Sequence, residues 1–552
     1  MKVAEYIVKF LEDKDYRLIF GLPGWNILPL YDVIRDSNIE HLLVKHENSA
    51  SIMADVYGRL TGKPGICIVT AGPGATNSIT GIAGAFAASS PVLHLSGHCP
   101  SDEKVQPFHG VDDWFFLEKM FKPITKFSKT IINANEVPKI LNEAYKISIS
   151  GRPGPVHISF PMDILNEETT ESYGEESEMI EESNNLVMEF IKLIPRAFKP
   201  AILVGQGVLR SFCWNEIVAL AEKINAPIFF SRWGRSAIPF NHPLNVGYFI
   251  GLMFGRRSHP MINELFNDSD LIFTIGFEEG SRYAIESMLG DKPTFHIFQE
   301  NSEYRISITE RSIQLNVKSL KQALNMLIKY LPEKIESKWI DIKSRITKIK
   351  MKIESELKEM VKEHANSKPI HPSIVINCIN ELSDENTIIT TDIGSNFVWT
   401  ELYYRIKSPN SFIVPGRYGS MGFSLPAAIS AKKINMDKQV IAITGDGGML
   451  MMMNELATLY EQKLNIPIIV MNDSKYGILW KIQQMHYGGR FFAVDICSPN
   501  FAECAEAFGI KGIKVEEPNE VYSVIEEALS SPNPVLVDID LSFQYDFYKY
   551  RL

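Results

Sequence analysis

The sequence predicts an α/β protein of three domains, each built on a doubly wound parallel sheet. The chain has 552 residues, which is more than one hydrophobic core holds, because domains commonly comprise roughly 100 to 200 residues. Short runs of β-branched and apolar residues alternate with helical stretches, and many of these runs are followed by turns that contain glycine. Strands that are apolar on both faces and alternate with helices are typical of parallel sheets covered on both sides.

Two changes in composition divide the chain. Residues 166–182 contain eight glutamates and no lysine or arginine, so like charges repel each other and few apolar groups are available for burial. We interpret residues 166–184 as an acidic linker; an acidic docking segment is the alternative. Residues 333–368 mix lysine and glutamate with spaced apolar residues and end at prolines, which predicts an exposed helical linker. The expected domains are residues 1–165, 185–332 and 369–552.

The first domain begins with a predicted amphipathic helix. Val3, Ile7 and Phe10 recur at helical spacing between charged residues, so we expect a helix of the fold and not a signal peptide. Apolar runs predict strands over residues 42–44, 66–70 and 92–95. A helix rich in small residues is expected over residues 75–88.

The second and third domains repeat this alternation. Strands are predicted in the second domain over residues 201–204, 271–275 and 294–298. In the third domain they are predicted over residues 388–391, 440–444, 466–471 and 535–539, with a helix over residues 449–463. Open parallel sheets bind ligands at the carboxyl ends of their strands. The glycine-containing loops that follow these strands are therefore the candidate binding loops.

Charge and cysteine content argue against several classes of protein. The net charge is −10, from 66 acidic and 56 basic residues, and this argues against a nucleic-acid partner. The six cysteines form no C-x-x-C pair, so neither a zinc site nor a dense disulfide framework is indicated. We expect a reducing, cytoplasmic location. No run of 18 apolar residues is present, so no membrane span is expected.

The strongest local pattern lies in the third domain. Asp446 stands in Thr444-Gly-Asp-Gly-Gly448, and Asp473 follows 27 residues later; each comes at the end of a predicted strand. Neighbouring parallel strands bring such residues together, and two carboxylates with backbone carbonyls suit Mg²⁺. Gly445, Gly447 and Gly448 allow the backbone to approach a diphosphate, and the start of the next helix favours an anion. The alternative is a tight turn with an aspartate that caps a helix.

These residues resemble the diphosphate and metal motif of the thiamin-diphosphate-dependent enzymes, the superfamily of acetolactate (acetohydroxyacid) synthases, pyruvate oxidases and decarboxylases. The resemblance implies thiamin diphosphate and Mg²⁺ as cofactors. It assigns Asp446, Asp473 and the carbonyl of Lys475 as metal ligands, with Asp473 in a place where many members have Asn. It also implies that the three domains are, in order, a pyrimidine-binding, a middle and a diphosphate-binding domain.

The second family position lies upstream, in Lys45-His-Glu-Asn-Ser-Ala50. By resemblance, Glu47 hydrogen-bonds N1′ of the aminopyrimidine ring, and this contact promotes removal of the C2 proton by the 4′-nitrogen. A carboxyl group shielded from water is suited to exchange a proton with a weakly basic ring nitrogen. The alternative for Glu47 is an acid at a helix N-terminus that interacts favourably with the helix dipole.

The segment from Gly416 to Ala428 resembles the family stretch that supports the bent cofactor. Met421 falls at the position of the apolar side chain beneath it, and the Gly419 carbonyl at the position that receives the 4′-amino group. The alternative for Met421 is ordinary core packing. Further cofactor contacts are implied, by resemblance, for Gly24, Pro73, Asn77, Gly394, Ser395, Asn396, Tyr476, Gly477 and Ile478.

The runs Gly21–Gly24, Arg152–Val156 and Phe491–Asp495 resemble the acetolactate synthase branch. That resemblance implies decarboxylation of a 2-oxo acid, pyruvate, and joining of the hydroxyalkyl carbanion to a second 2-oxo acid, which gives 2-acetolactate. Alternatives are a 2-oxo acid decarboxylase or acyloin lyase with another substrate, and a flavin-containing oxidoreductase like pyruvate oxidase. A non-catalytic cofactor-binding protein is the alternative from another class.

Several residues depart from the family pattern near the expected substrate. Phe108 is a candidate substrate contact by resemblance, and His109 follows it where a glutamine is usual. Trp25 stands where synthases often have glycine. We expect His109 and Trp25 to act in catalysis or to shape the donor pocket. Ile482 replaces a tryptophan that favours larger acceptors. Arg282 matches an arginine that contacts the cofactor or the second substrate. The alternatives are a structural histidine at position 109 and a surface arginine at position 282.

The flavin and the quaternary structure are judged from the same resemblance. Met253-Phe-Gly255 is similar to part of a flavin-contacting loop, but Phe298-Gln-Glu300 lacks the acidic pair expected beside adenine, so the sequence favours the absence of FAD. In this family the cofactor lies between the first domain of one subunit and the third domain of another. A homodimer is therefore the smallest expected assembly, and a tetramer is the larger alternative.

Overall fold

The computed structural model describes residues 1–102, 109, 111–169, 199–250, 259–277, 289–299, 312–332 and 337–545. Its strands form three six-stranded sheets, in which the pairs between neighbouring strands are parallel. Each sheet falls within one of the three predicted domains. The predicted fold class is confirmed.

The first sheet has the order β2-β1-β3-β4-β6-β5. Its strands are β1 Leu18–Leu22, β2 Glu40–Leu43, β3 Gly65–Val69, β4 Val92–His98, β5 Phe127–Thr130 and β6 Pro155–Pro161. The helices around it are α1 Val3–Asp13, α2 Leu28–Arg35, α3 Glu47–Thr61, α4 Pro73–Asn77, α5 Ile79–Ala87, α6 Phe116–Phe121, α7 Val137–Ile149 and α8 Met162–Asn166. The strand order reverses direction between β1 and β3, so a crevice opens beyond the carboxyl ends of these two strands.

The second sheet has the order β12-β11-β10-β7-β8-β9. Its strands are β7 Pro200–Val204, β8 Ile228–Ser231, β9 Asn245–Ile250, β10 Leu271–Ile275, β11 Thr294–Gln299 and β12 Ile313–Val317. Its described helices are α9 Gln206–Arg210, α10 Trp214–Ile224, α11 Pro260–Asn267 and α12 Leu320–Tyr330. The order reverses between β7 and β10.

The third sheet has the order β14-β13-β15-β16-β18-β17. The long helix α13 Ile342–Glu363 and then α14 Pro372–Leu382 precede its strands, which are β13 Thr387–Thr391, β14 Phe412–Ile413, β15 Gln439–Gly445, β16 Pro467–Asn472, β17 Lys511–Val515 and β18 Val535–Asp540. The other helices are α15 Ser395–Tyr403, α16 Ser424–Ile434, α17 Asp446–Met452, α18 Glu455–Gln462, α19 Gly477–His486, α20 Phe501–Ala507 and α21 Val521–Ser530. The order reverses between β13 and β15.

The helix α13 corrects the prediction of an exposed linker. Ile342, Ile346 and Ile349 recur at helical spacing and are buried in the core of the middle domain. Just before the helix, the Trp339 indole donates a hydrogen bond of 2.7 Å to the carbonyl of Pro200. One face of α13 therefore belongs to the middle domain, because a stripe of isoleucines is more stable against that core than in water.

Two helices that the sequence predicts as continuous are interrupted. The helix expected over residues 75–88 breaks at Ser78, whose hydroxyl donates to the carbonyl of Ala75 at 2.6 Å. The helix expected over residues 449–463 breaks before Glu455, where the Asn454 amide donates to the Glu455 carboxylate at 3.2 Å. Short polar side chains that bond locally compete with the helical backbone, which favours such breaks.

Most of the predicted acidic linker, residues 170–184, lies outside the described residues. Within the part of the chain that the structure describes, none of the helices has both the length and the apolar character needed to cross a membrane.

Candidate active site

A cavity of about 240 Å³ opens at the reversal point of the third sheet. It lies beyond β13 and β15, where ligands of open parallel sheets bind. The lining includes every position predicted for the diphosphate and metal half of the site: Gly394, Ser395, Asn396, Gly419, Met421, Gly445, Asp446, Gly447, Gly448, Asp473, Lys475, Tyr476, Gly477 and Ile478. The tertiary structure thus collects four separate loops into one cavity.

Two carboxyl groups, those of Asp446 and Asp473, line this cavity close enough for their charges to interact. β15 and β16 are paired in parallel, and Asp446 and Asp473 follow these two strands directly. The backbone N–H of Lys475 and the hydroxyl of Ser498 donate to Asp446 Oδ2 at 3.1 and 3.0 Å. Burial, and then the nearby charge of Asp446, raise the pKa of Asp473 to about 8. Such a pair is costly without a cation, since burial and like charge both disfavour the ionised form.

The polar atoms left without partners match a cation and a diphosphate. Asp473 Oδ1 and Ser395 Oγ are shielded from solvent and have no hydrogen-bond partner among the described residues. A Cβ atom at Gly477 would lie 2.7 Å from Ser395 Oγ, and one at Gly447 would lie 3.0 Å from the terminal methyl of Met421. A side chain at either position would therefore crowd groups that line the cavity. The residues present therefore fit an anion held beside a divalent cation.

Asp392 joins three of the loops that form the cavity. Its carboxylate is fully buried and accepts hydrogen bonds from the backbone N–H groups of Ile393, Gly422 and Phe423 at 3.0 to 3.2 Å. The hydroxyl of Thr444 lies 3.4 Å from the same group. Burial raises the pKa of Asp392 to about 7, and the backbone donors oppose that shift. No local pattern in the sequence predicts this role for Asp392.

The segment that contains Gly419 and Met421 is shaped by glycines. Gly419 and Gly422 have φ angles of +68° and +77°, a region that favours glycine because other residues place their Cβ too close to the backbone. The turn presents the Met421 side chain to the cavity. The preceding residue, Tyr418, is 51% exposed.

A second group of predicted residues lies at the reversal point of the first sheet. Glu47 is the first residue of α3 and is only 7% exposed. The side-chain amide of Asn77 donates to Glu47 Oε2 at 3.0 Å. A Cβ atom at Gly74 would lie 3.4 Å from Glu47 Oε1, so the backbone of α4 packs directly against the carboxyl group. Pro73 opens α4 and is exposed.

The loops around Glu47 hold other predicted residues. Gly24 packs against Thr70, because a Cβ atom there would lie 2.6 Å from the threonine side chain. The ring of His109 packs on Gly72 at the start of the α4 loop, where an added Cβ would meet it at 2.4 Å. Partial burial lowers the pKa of His109. Trp25 is 66% exposed, in a short 3₁₀ turn after Gly24.

The two groups occupy different domains. Among the described residues, no hydrogen bond joins Glu47 or Asn77 to a residue that lines the 240 Å³ cavity. The segment that precedes Glu47 instead contacts α18 of the third domain, where the Lys45 N–H donates to the buried Glu455 at 3.0 Å.

The predicted substrate residues are only partly described. Ile482 lines a separate, open cavity with aromatic walls that include Tyr487, Phe491 and Phe492. Phe108 and Arg282 lie outside the described residues, as do residues 253–255 and Glu300 of the proposed flavin-contacting segments.

Two contributors to the cavity had no signal in the sequence. Ser498, which donates to Asp446, lies 52 residues farther along the chain in an irregular segment. Phe543 lines the cavity from beyond the last strand. Neither position belongs to a local pattern, so only the folded chain reveals them.

Three family models match the chain. They describe the C-terminal TPP binding domain of thiamine pyrophosphate enzymes, matched by residues 392–539, the N-terminal TPP binding domain, matched by residues 1–117, and the central domain, matched by residues 187–318. The order and placement of the matches agree with the order of the three sheets.

Full-length relatives give a finer comparison. The chain is 33% identical to the probable acetolactate synthase large subunit of Methanocaldococcus jannaschii, over 98% of this chain and 92% of the relative. It is 29% identical to the large subunit of acetolactate synthase isozyme 1 of Escherichia coli, over 99% and 95%. It is 30% identical to the acetolactate synthase large subunit of Lactococcus lactis, over 98% and 92%. The chain therefore belongs to the thiamin-diphosphate-dependent enzymes, in the branch of the acetolactate synthase large subunits.

Proposed function

We propose that this enzyme decarboxylates pyruvate and joins the two-carbon unit to a second 2-oxo acid, giving 2-acetolactate, with thiamin diphosphate and Mg²⁺. The cavity beside Asp446 and Asp473 carries the proposal, since its unpartnered polar atoms suit a cation and a diphosphate. The full-length similarity to acetolactate synthase large subunits supports this choice of reaction.

The residues of the cavity would hold the cofactor by its diphosphate. Asp446, Asp473 and the carbonyl of Lys475 would bind Mg²⁺, which prefers hard oxygen ligands and commonly bridges to phosphate oxygens. The Ser395 hydroxyl has no hydrogen-bond partner among the described residues, and Asn396 follows it at the start of α15, where helix dipoles favour anions. Bound thiamin diphosphate supplies the electron sink that decarboxylation of a 2-oxo acid needs.

Glu47 would act on the other end of the cofactor. Its carboxyl group is shielded from water, and the Asn77 amide fixes one of its oxygens. A carboxyl group so placed can hold or release a proton at N1′ of the aminopyrimidine ring. The Met421 side chain would support the bent cofactor, and the Gly419 carbonyl would accept a hydrogen bond from the 4′-amino group of the cofactor. These contacts orient the reacting ring, which is catalysis by positioning.

We propose that the site is shared between two copies of the chain, so that the enzyme is at least a homodimer. Large apolar side chains lie exposed near both halves of the site: Trp25 is 66% exposed beside Gly24, and Tyr418 and Met451 are 51% and 55% exposed in the diphosphate domain. Clustered apolar exposure of this kind marks a contact surface. A second copy would cover these side chains and bring Glu47 to the opposite cavity.

His109 and Trp25 would shape the donor pocket, and Ile482 the acceptor side. His109 packs on the loop that leads to Asn77, so its imidazole would lie near the reacting end of a bound cofactor. If these residues favour protonation of the two-carbon unit over its transfer, the product is an aldehyde. That outcome would identify a decarboxylase of the same family.

Product analysis tests the proposal. The enzyme is incubated with ¹³C-labelled pyruvate, thiamin diphosphate and Mg²⁺, and the products are identified by NMR. We expect labelled acetolactate and CO₂, and no product after treatment with a chelator. Acetaldehyde as the sole product would contradict the carboligase. We expect no flavin absorbance in the purified enzyme, and a yellow preparation would instead favour the flavin-dependent alternative.

A further inference from the structure

Two histidines are buried side by side in the first sheet. His94 on β4 and His157 on β6 are register partners and fully shielded from solvent. Their Nδ1 atoms lie 2.7 Å apart, and the ring of Phe121 stacks on His157 with centroids 4.1 Å apart. Burial lowers the pKa of His94 to about 3. Burial, and then the neighbouring His94, also lower the pKa of His157 well below its usual value. Both rings are therefore neutral near pH 7, and each has one N–H donor and one acceptor nitrogen.

The pair belongs to a row of five hydrogen-bonded side chains, which we call the hydrogen-bonded chain. His94 Nε2 lies 2.9 Å from Ser78 Oγ, which also lies 2.6 Å from the carbonyl oxygen of Ala75. At the other end, His157 Nε2 lies 2.9 Å from Ser159 Oγ, and Ser159 Oγ lies 2.9 Å from Ser96 Oγ. Each of these five side chains is fully buried.

One end of the chain fixes the direction of every bond in it. A carbonyl oxygen only accepts hydrogen bonds, so the Ser78 hydroxyl donates its one proton to the Ala75 carbonyl. Ser78 Oγ must then accept a hydrogen bond from the Nε2–H of His94. A neutral His94 then accepts at Nδ1, which makes His157 Nδ1 the donor. By the same logic Ser159 donates to His157 Nε2. Ser96, in turn, donates to Ser159. All the polar atoms of the chain are thus satisfied in one polarity only.

The hydrogen-bonded chain ends at Ser78, next to the residue that contacts Glu47, the proposed proton-transfer group. Ser78 lies between α4 and α5, and Ala75 lies within α4. Asn77, the last residue of α4, donates to Glu47 Oε2. The backbone of α4 also packs against the Glu47 carboxyl group at Gly74. The position of α4 on the sheet therefore affects where Asn77 and Glu47 stand.

We propose that His94 and His157 are positioning residues, which hold α4 through Ser78 so that Asn77 orients the carboxyl group of Glu47. The proposal rests on the proposed role of Glu47 toward the cofactor. The two histidines touch neither substrate nor cofactor. They act through the hydrogen bond from His94 to Ser78. The N–H of His157 holds the His94 ring in place for that bond, because without it His94 Nδ1 becomes a buried acceptor that has lost its partner.

Two substitutions at one position separate the hydrogen bond from the packing. His157→Phe keeps an aromatic ring on Phe121 but removes the donor to His94. His157→Asn keeps an N–H near the position of Nδ1 and removes the ring. Ser96→Ala serves as the matched control, because it deletes only the terminal donor and leaves every other bond in the chain with its partner.

The readout is exchange of the C2 proton of bound thiamin diphosphate for deuterium, followed by NMR, with kcat and KM for pyruvate measured alongside. A 1 Å misplacement of a catalytic group can cost roughly 10²-fold, so we expect His157→Phe to slow exchange and kcat about tenfold or more. KM and the cofactor Kd should stay within about threefold. His157→Asn and Ser96→Ala should stay near the wild type. A role in folding alone would lower the unfolding temperature without slowing exchange.

The proposal is overturned if His157→Phe exchanges like the wild type, or if His157→Asn loses as much as His157→Phe. Should His157→Phe fail to fold, Ser78→Ala tests the same link at its other end, and normal exchange in that variant overturns the proposal. The exchange assay needs no substrate. A wild type that exchanges rapidly but makes no acetolactate would therefore contradict the proposed reaction and leave the positioning role standing.

Discussion

Two buried aspartates of the diphosphate domain have different roles because their surroundings differ. Burial raises the pKa of both, to about 7 for Asp392 and about 8 for Asp473. The carboxylate of Asp392 is surrounded by backbone N–H donors, whereas Asp473 Oδ1 has no partner among the described residues and faces the charge of Asp446. Asp392 therefore stabilises the loops, and Asp473 is suited to a cation that comes from outside the chain.

Removal of the acid at position 47 is the most direct test at the scale of a residue. Glu47→Gln keeps the shape of the side chain but cannot exchange a proton, so we expect a loss of roughly 10²-fold or more in kcat, the scale for a proton-transfer group. Steady-state kinetics at saturating cofactor measure it. Cofactor affinity should change little, and a variant within a few fold of wild-type activity would rule out the role of Glu47.

Asp473→Asn should change how the metal-free protein responds to pH. The folded pKa of Asp473 is raised to about 8, above the unfolded value of about 3.9. The stability that this group contributes is therefore lost as the pH rises from about 4 to about 8. In a chelator near pH 8.5 we expect the variant to unfold at a temperature at least about 2 °C higher than the wild type.

The comparison near pH 5 is the control for this variant, since Asp473 is protonated there in the folded wild type. The difference between the two proteins should then be much smaller than near pH 8.5, because most of the loss of stability develops above pH 5. Mg²⁺ with thiamin diphosphate should raise the unfolding temperature of the wild type more than that of the variant, because ligand binding to the folded state stabilises it. A wild type as stable as the variant near pH 8.5 would contradict the proposed charge repulsion.

At the scale of elements, α3 connects two domains of the chain. Its first residue is Glu47, and farther along Asp55 and Arg59 form a buried ion pair with side chains 2% and 4% exposed. Arg59 also donates to the carbonyl of Val414 in the diphosphate domain and lies over the ring of Phe423 at 5.3 Å. The helix that carries the proposed catalytic acid is therefore anchored on the segment that leads to Gly419 and Met421.

Breaking this anchor should be costly. Arg59→Met leaves the Asp55 carboxylate buried without a counter-charge, and loss of one partner of a buried pair costs about 3–5 kcal/mol. We expect a corresponding fall in the free energy of unfolding by urea. Asp55→Asn combined with Arg59→Met should recover much of it, since no buried charge is left. The exposed pair Lys9–Asp13 is the matched control: Lys9→Met should cost no more than about 1 kcal/mol.

At the scale of the whole molecule, the three sheets share one architecture, but different side chains lie at the points where their strand orders reverse. The third sheet carries the cavity with two aspartates, and the first carries Glu47 beside Asn77. These half-sites lie on separate domains, with exposed apolar side chains near each. A second copy of the chain would complete both half-sites at once, because a twofold axis makes the same contact twice.

Mixing two inactive variants tests whether the site is shared. Glu47→Gln and Asp446→Ala should each be inactive alone. If the site lies between subunits, each mixed dimer has one site with both changes and one intact site, so an equal mixture refolded together should recover about a quarter of wild-type activity. Activity assays and light scattering of the mixture measure this. A site within one chain would give no recovery.

The sequence by itself determined the three α/β domains and most of the residues that line the cavity. Apolar strands that alternate with helices are local patterns, and Thr444–Gly448 keeps its glycines and its acid within one turn. Only the tertiary structure showed that Asp392 joins loops 30 and 52 residues downstream, and that His94 meets His157 across 63 residues. It also showed α13 packed on the middle domain and two breaks in predicted helices. The physical reason is common to these cases: spacing along the chain reports local periodicity, whereas burial and hydrogen bonds between distant residues exist only once the chain is packed.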